Sequence, residues 1–407
     1  MGFEGSYVGL DQVRAAATVL EDVAVHTPVE ISRVLSDLAG GLTFLKCENL
    51  QRTGAFKIRG AYNRIARLSE EERARGVVAA SAGNHAQGVA LGASLLGVRS
   101  TVFMPAGAPI PKIEATSRYG AKVVLEGAVY DEAASAAEAY CEAQGAVMVH
   151  PFDHPDVIAG QGTIALEILE QMPDVASIVV PVGGGGLISG IAAATKALRP
   201  GVRVIGVEAD GAAAVSHSLA AGHAVTLETC STIADGLATK AVGELTLPHI
   251  ERFVDDVVTV KEEDLAESVL LMAERAKLVV EPAGAAGVAA AMTRQGGLVF
   301  PAVVLLSGGN IDPLLLVRVL SFGMGAGGRY FSFRTRLHDR PGELHKLSGV
   351  ISQAGANIVG VEHRREGAQF RKFGQVEISI QAETAGRDHV ERLRTALEAA
   401  DYTLEEL

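Results

Sequence analysis

Short runs of β-branched and aliphatic residues recur along the first three quarters of the chain. Each is followed by a longer, alanine-rich stretch with apolar residues at helical spacing. Val77-Val78-Ala79-Ala80, Ser100-Thr101-Val102-Phe103-Met104, Lys122-Val123-Val124-Leu125 and Val147-Met148-Val149 form one group of these runs. Ser177-Ile178-Val179-Val180-Pro181-Val182, Arg203-Val204-Ile205-Gly206-Val207 and Ala302-Val303-Val304-Leu305-Leu306 form a second. Apolar runs without polar alternation predict strands buried on both faces. The stretches Ala86 to Leu96, Ile188 to Leu198 and Glu262 to Lys277 predict the helices that bury them. Strand-helix alternation of this kind gives an α/β fold with parallel sheets, and two groups of strands predict two lobes with a cleft between them.

The pattern breaks at Ser321-Phe322-Gly323-Met324-Gly325-Ala326-Gly327-Gly328, whose composition predicts a glycine-rich linker over 321–329. Beyond it, Tyr330 to His338 alternates like a half-buried strand, and Asp339-Arg340-Pro341-Gly342 reads as a turn. Glu343 to Gln353 predicts a helix, Asn357 to His363 and Gln375 to Ala382 predict strands, and Asp388 to Ala399 a second helix. Tyr402-Thr403-Leu404 predicts a short last strand. The order βαββαβ is the ferredoxin-like arrangement. The expected organisation is therefore a larger domain over 1–320, its smaller lobe at roughly 50–150, and a second domain over 330–407 that carries no obvious nucleophile.

Composition narrows the partners. The 407 residues carry a formal charge of -12, which argues against nucleic acid or an anionic membrane as the main partner, since both call for basic patches. No stretch approaches the roughly 20 apolar residues that span a bilayer. The N-terminus has no basic region followed by an apolar run, and Cys47, Cys141 and Cys230 lie in no CxxC pair. A reducing, cytoplasmic setting is the expectation.

Four segments carry candidate chemistry. In Thr53-Gly54-Ala55-Phe56-Lys57-Ile58-Arg59-Gly60-Ala61 a lysine sits among apolar groups and glycines, where burial lowers its pKa and leaves an amine nucleophile or base. The alternative is a lysine snorkelling from a helix edge. Pro181-Val182-Gly183-Gly184-Gly185-Gly186-Leu187 follows a strand and opens a helix, so its amides suit one phosphate at the positive end of the helix dipole. Its spacing fails the dinucleotide fingerprint, with Ile188 or Ser189 where the last glycine is needed. Ser81-Ala82-Gly83-Asn84-His85 offers amides to a carboxylate and the Asn84 amide to an aromatic oxygen, or Ser81 is a plain helix cap. Leu306-Ser307-Gly308-Gly309-Asn310 places a hydroxyl where open α/β sheets bind ligands, or a simple turn serine. His150 and His154 have helical spacing, but Pro151 and Pro155 argue against that helix. Glu281 either faces the cleft or starts a helix, and Glu262, Glu263 and Asp264 read as a solvated first turn.

Together the strings KCENLQ-TGAFKIRGA, SAGNHAQGVA, PVGGGGL and LLSGGN, from about Val25 to Pro313, resemble the fold type II pyridoxal-phosphate enzymes of the threonine dehydratase and serine racemase branch. The tail with its DRPGEL turn resembles an ACT regulatory domain. The resemblance implies a tryptophan synthase β-like pair of lobes and pyridoxal 5'-phosphate as cofactor. It implies Lys57 as the Schiff-base lysine, Phe56 near the ring, Asn84 on the phenolic oxygen, Gly183, Gly184, Gly185, Gly186 and Leu187 around the phosphate, and Ser307 on the pyridine nitrogen. It assigns the substrate carboxylate to Ser81, Ala82, Gly83, Asn84 and His85, and an amino-acid effector to Gly342, Leu344, Asn357 and Ile358. It also implies a homo-oligomer, dimer or tetramer.

A hydroxyl on the pyridine nitrogen is too weak an acid to keep it protonated, which favours expelling a β-hydroxyl over transamination. Lys57 would take the α-proton, and threonine would give 2-oxobutanoate and ammonia. Racemases of this branch carry serine at the position of Ala82, so dehydration is favoured over racemisation. The branch also has a cation site near Glu208 with an acidic residue six positions on; here that residue is Ala214, and no metal is expected. A serine or 3-hydroxyaspartate dehydratase, and a non-catalytic amino-acid sensor built around the tail, are the competing expectations.

Overall fold

The computed structural model describes residues 7–365 and 374–407, and the chain divides into two compact units, Met1–Leu316 and Val317–Leu407. Ten strands lie in the first: β1 (Val29–Ile31), β2 (Thr43–Cys47), β3 (Val77–Ala80), β4 (Ser100–Met104), β5 (Lys122–Leu125), β6 (Val147–Met148), β7 (Ser177–Pro181), β8 (Arg203–Ala209), β9 (Asp256–Val260) and β10 (Ala302–Leu306). They form two sheets, in the orders β1-β2-β10-β7-β8-β9 and β5-β4-β3-β6. Every pairing is parallel except β1 on β2. The chain starts the large sheet, leaves it after Cys47 to build the small one, and returns at β7. The two strand groups read from the sequence are thus two separate sheets.

The continuous apolar runs explain the burial. Ile178, Val180, Val204, Val303 and Leu305 meet Ile188 and Ile191 of the helix Gly186–Leu198 in the large core, and burying each such side chain contributes about 1.5–3 kcal/mol. Helices Pro155–Gln171 and Gly186–Leu198 touch backbone to backbone: a Cβ on Gly190 would lie 2.1 Å from the carbonyl oxygen of Ile158. Small residues therefore set how closely these two helices approach.

One part of the interior is charged. Arg59 is 1 % exposed and clamps the fully buried Glu48 through Nε and Nη2, both at 2.8 Å. Its Nη1 donates to Glu167 Oε1 at 2.6 Å and to Thr163 Oγ1 at 3.1 Å. Lys46 donates to Glu167 Oε2 at 2.5 Å, Gln171 Oε1 at 2.9 Å and the Thr27 carbonyl at 2.7 Å. The cluster ties β2 and the start of helix Lys57–Ala66 to helix Pro155–Gln171.

The second unit has β11 (Tyr330–His338), β12 (Asn357–Arg364), β13 (Gln375–Glu383) and β14 (Glu405–Glu406) in the antiparallel order β12-β13-β11-β14. Phe333 pairs with Ile380 in register, and both pack with Leu347, Ile351, Leu393 and Leu397 of the helices Glu343–Gln353 and Arg387–Ala399. This is the expected βαββαβ order.

Three expectations need correction. The stretch 321–329, read as a linker, is helical through Ala326, because the leucine-rich helix Pro313–Ala326 carries across Gly323 and Gly325 and ends only at Gly327 and Gly328. The last strand is Glu405–Glu406 rather than 402–404, since the left-handed Asp401 (φ 67°) delays the return to β11. The helix expected over 262–277 ends at Leu271 and continues as a π turn, Met272–Ala276. Among the described residues no helix is long and apolar enough to cross a membrane.

Candidate active site

Lys57, the loop Ser81–His85, the turn Gly183–Leu187 and Ser307 all sit just past the C-terminal ends of parallel strands or in the chain that joins the two sheets. That edge is where open α/β sheets bind ligands. Lys57 opens the helix Lys57–Ala66, and the loop before it is zipped to the loop after β10. Phe56 N donates to the Ser307 carbonyl at 3.2 Å, Gly309 N to the Gly54 carbonyl at 2.8 Å, and Ala55 bridges Gly308. Two segments 250 residues apart in sequence are so held edge to edge. A Cβ on Gly308 would stand 2.2 Å from Glu281 Oε1, so a larger residue there would push the Glu281 carboxylate aside.

The Lys57 amine donates to the Pro151 carbonyl at 2.8 Å and lies 5.2 Å from the Phe56 ring centre. Burial lowers its pKa to about 8, against the charge of Glu281, which raises it. The snorkelling alternative fails, because the amine is desolvated and tied to the Pro151 carbonyl rather than carried out to water.

Gly183 to Gly186 follow β7 as a bare-backbone turn. Gly185 has φ 94° and its carbonyl accepts from Ser189, so the amides at the start of helix Gly186–Leu198 have no intrahelical acceptor. A Cβ on Gly184 would meet the Phe152 ring at 2.3 Å. The turn is therefore a shallow cradle against an aromatic wall, suited to one phosphate.

On the small sheet, Ser81 Oγ accepts from Gly83 N at 3.1 Å, and Gly83, not Ser81, precedes the helix Asn84–Leu95. Ala82 packs among Ala86, Ala90, Val102 and Met104. The His85 ring is buried, 2.7 Å from the Val149 carbonyl through Nε2, and burial followed by the Lys57 charge pushes its pKa down to about 3. Its side chain is a neutral interior group, so His85 has its backbone amide alone to offer a carboxylate. Asn84 is oriented by two partners: its Nδ2 donates to Glu281 Oε1 at 2.5 Å and its Oδ1 accepts from Asn310 Nδ2 at 2.9 Å. Ser307, just past β10 of the large sheet, is 5 % exposed.

Pro151, Phe152, Asn310 and the Glu281 carboxylate complete the site, and only Glu281 was weighed for it from sequence. A backbone carbonyl and a ring stacked on glycine leave no residue-type signal. His150 takes two turn amides on Nδ1, from Asp153 at 2.7 Å and Phe152 at 3.3 Å. His154 caps the helix Pro155–Gln171, so the pair serves local structure. Gly342 and Leu344 start helix Glu343–Gln353 and Asn357 and Ile358 follow its far end, so the unit does not gather these four residues at one point. The helix between them is about 16 Å long at 1.5 Å per residue.

Glu208, weighed as one side of a cation site, spends its carboxylate on the helix Ala214–Ala221. Oε1 accepts from Val215 N at 2.8 Å, and Oε2 from Ser216 N at 2.8 Å and Ser216 Oγ at 2.7 Å. Burial raises its pKa and these hydrogen bonds oppose the rise. Glu208→Ala should lower stability by about 1–3 kcal/mol by leaving these donors unpaired. Urea denaturation of the cofactor-free protein reads this, and an unchanged midpoint refutes it.

Known proteins resemble this chain in sequence and fold. The family described as pyridoxal-phosphate dependent enzyme matches residues 20–308, and the ACT domain family matches residues 331–401. The L-threonine ammonia-lyase of Thermotoga maritima is 47% identical over 395 residues, 97% of this chain and 98% of that one. Among solved structures, maize serine racemase superposes with a TM-score of 0.74 at 37% identity, covering 79% of this chain and 99% of that one. Threonine deaminase isoform 2 from Solanum lycopersicum gives a TM-score of 0.73 at 37% identity, covering 78% and 90%.

Proposed function

The chain belongs to the family of pyridoxal-phosphate-dependent enzymes and ends in an ACT domain, and from that premise we propose that it converts L-threonine to 2-oxobutanoate and ammonia. The observation that carries the reading is that Asn84, the Gly183–Leu187 cradle and Ser307 stand past the C-terminal ends of strands of the two sheets and Lys57 in the chain that joins them, in a chain 47% identical to an L-threonine ammonia-lyase. The residues fit the cofactor by their own chemistry. An amine with a lowered pKa, a cradle of free amides, an amide with a spare N–H and a buried hydroxyl match an aldehyde, a phosphate, a phenolic oxygen and a ring nitrogen.

When bound, pyridoxal phosphate supplies the electron sink that lets the α-proton of an amino acid leave. Lys57 Nζ would hold the cofactor, and the same amine, when free, would be the base for that proton. Ser307 would offer a hydroxyl to the ring nitrogen, a donor too weakly acidic to protonate it. That choice favours prompt loss of the β-hydroxyl over return of a proton to Cα. Ala82 supports the same direction, since its methyl has no proton to exchange. Phe152 and Phe56 make the surrounding wall aromatic, which suits the methyl group of threonine.

The pH dependence of cofactor capture follows from Lys57. A neutral amine is the nucleophile, so capture by the cofactor-free protein should accelerate as pH rises through about 8 and level off above it. Stopped-flow absorbance of the colour that develops on mixing measures it. A rate still climbing steeply between about pH 9 and 10 would place the amine near the ordinary lysine value instead.

Initial rates on threonine, serine and 3-hydroxyaspartate, with 2-oxo acid and ammonia both measured, test the activity. Threonine should give the highest kcat/KM and the two products in equal amounts; no 2-oxo acid from any of the three refutes the reading. A preference for serine is the second reading, favoured by the likeness to maize serine racemase. Repeating the rates with isoleucine or valine tests the regulatory role of the ACT unit, which we propose binds an amino-acid effector. The intact Lys57, Asn84 and Ser307 count against a purely sensing protein. We place the enzyme in the cytoplasm as a homo-oligomer, in keeping with the resemblance to its branch.

A further inference from the structure

Glu281 directly precedes helix Pro282–Met292, yet its carboxylate makes no bond to that helix's own amides. It turns instead to Asn84, 197 residues away in sequence. Asn310 anchors the other side of the same carboxamide, donating to Asn84 Oδ1 at 2.9 Å and also to the Thr53 carbonyl. With a donor facing Oδ1 and an acceptor facing Nδ2, the Asn84 carboxamide cannot flip without pairing like with like. One N–H of Nδ2 remains to serve a ligand. The backbone braces Glu281 as well, since its N–H donates to the Gly308 carbonyl at 3.1 Å.

We propose that Glu281 is a positioning residue for the cofactor: it locks the Asn84 amide so that its second N–H faces the phenolic oxygen, and its own charge state tunes that hydrogen bond. This rests on the reading of the site as a pyridoxal-phosphate site. An ionised Glu281 polarises Asn84 and changes the field at the phenolic oxygen; a neutral one does not. The charged groups around it come from three other elements: Lys57, Lys112 of helix Ile110–Arg118, and Asp235 of the turn Asp235–Leu237. Lys112 and Asp235 pair with each other at 3.3 Å, which mutes both. Burial raises the Glu281 carboxyl to about 7, the Asn84 hydrogen bond and Lys112 oppose the rise, Asp235 adds to it, and Lys57 opposes it. The switch between the two forms thus falls in the neutral range. Glu281 also lines a small recess with Lys112, Asp235, Asn310 and Asp312.

The test compares the cofactor-loaded wild type with Glu281→Gln and Glu281→Ala, reading the visible absorption band from about pH 5.5 to 8.5 and the cofactor dissociation constant. The wild-type band should shift with a midpoint near pH 7. Glu281→Gln keeps an acceptor for Asn84 but cannot ionise, so its band should stay fixed while cofactor affinity changes by less than about threefold. Glu281→Ala should weaken cofactor binding by at least about tenfold. A Gln variant that titrates like the wild type, a wild-type band that does not move over this range, or an Ala variant that binds cofactor as the wild type does would each overturn the proposal. Should the Ala variant fail to fold, the Gln variant decides alone. A wild type that takes up no cofactor at all would instead refute the reading of the site.

Discussion

Lys57→Ala should cut 2-oxobutanoate formation from threonine by at least about a thousandfold while leaving the protein folded. Two roles fall on one amine, holding the cofactor and taking the α-proton, and alanine removes both. Neither His85 nor Ala82 can substitute. His85 is held neutral against the Val149 carbonyl, and Ala82 has no exchangeable proton. The fold should tolerate the change because the amine contributes a single hydrogen bond, to Pro151, and its burial is a cost that alanine relieves. A coupled assay for the 2-oxo acid gives the rate, and circular dichroism gives the fold. Wild-type activity in a folded variant would remove Lys57 from the chemistry.

The parts of this molecule legible in its sequence are those where one residue type has one physical use. The runs at 77–80, 100–104, 177–181 and 302–306 read as strands buried on both faces, because each is a short, largely apolar run carrying adjacent β-branched residues without polar alternation. Four glycines at the end of such a strand had to be a turn with exposed amides. Elements that mix signals were harder. β2 carries the buried charge of Lys46 in its middle, and β1 is three residues long, so neither shows the pattern that marks its neighbours. Residues 321–329 read as linker because glycine costs about 1 kcal/mol in a helix, yet the leucines before them had already nucleated one that tolerates two.

The site itself divides the same way. Lys57, Asn84, Gly183 to Gly186 and Ser307 stand in segments whose composition is odd for a surface. Pro151 acts through its backbone carbonyl and Phe152 through the face of its ring, neither of which composition reveals. Glu281 was ambiguous because a carboxylate at a helix start has a sufficient local explanation; only the fold shows that it faces Asn84.

Arg59 shows how far a single hidden residue can matter, and Arg59→Met should destabilise the cofactor-free protein by about 3–5 kcal/mol at neutral pH. Methionine fills the volume but leaves Glu48, which is 0 % exposed, without its partner cation. Burial alone would push the Glu48 carboxyl up; the charge and hydrogen bonds of Arg59, with Thr27 and Lys46, overcome that and hold it below the usual carboxylate range. A depressed folded pKa contributes stability that is complete above the unfolded carboxylate value and fades as pH falls through the folded one. In the variant the balance reverses, so Glu48 takes up a proton on folding and acid favours the folded state. The gap between wild type and Arg59→Met should therefore be widest near pH 7 and narrow below about pH 4.5. Adding Glu48→Gln should recover part of the loss, because the buried charge is gone. Urea denaturation followed by circular dichroism measures all three proteins, and coincident wild-type and Arg59→Met midpoints at pH 7 would show that the pair contributes nothing. The consequence reaches the site, because Arg59 stands two residues after Lys57 and pins that turn of helix Lys57–Ala66 to helix Pro155–Gln171 through Glu167. Where the clamp is lost, the lysine loses its fixed approach to Pro151, and cofactor affinity should fall with stability.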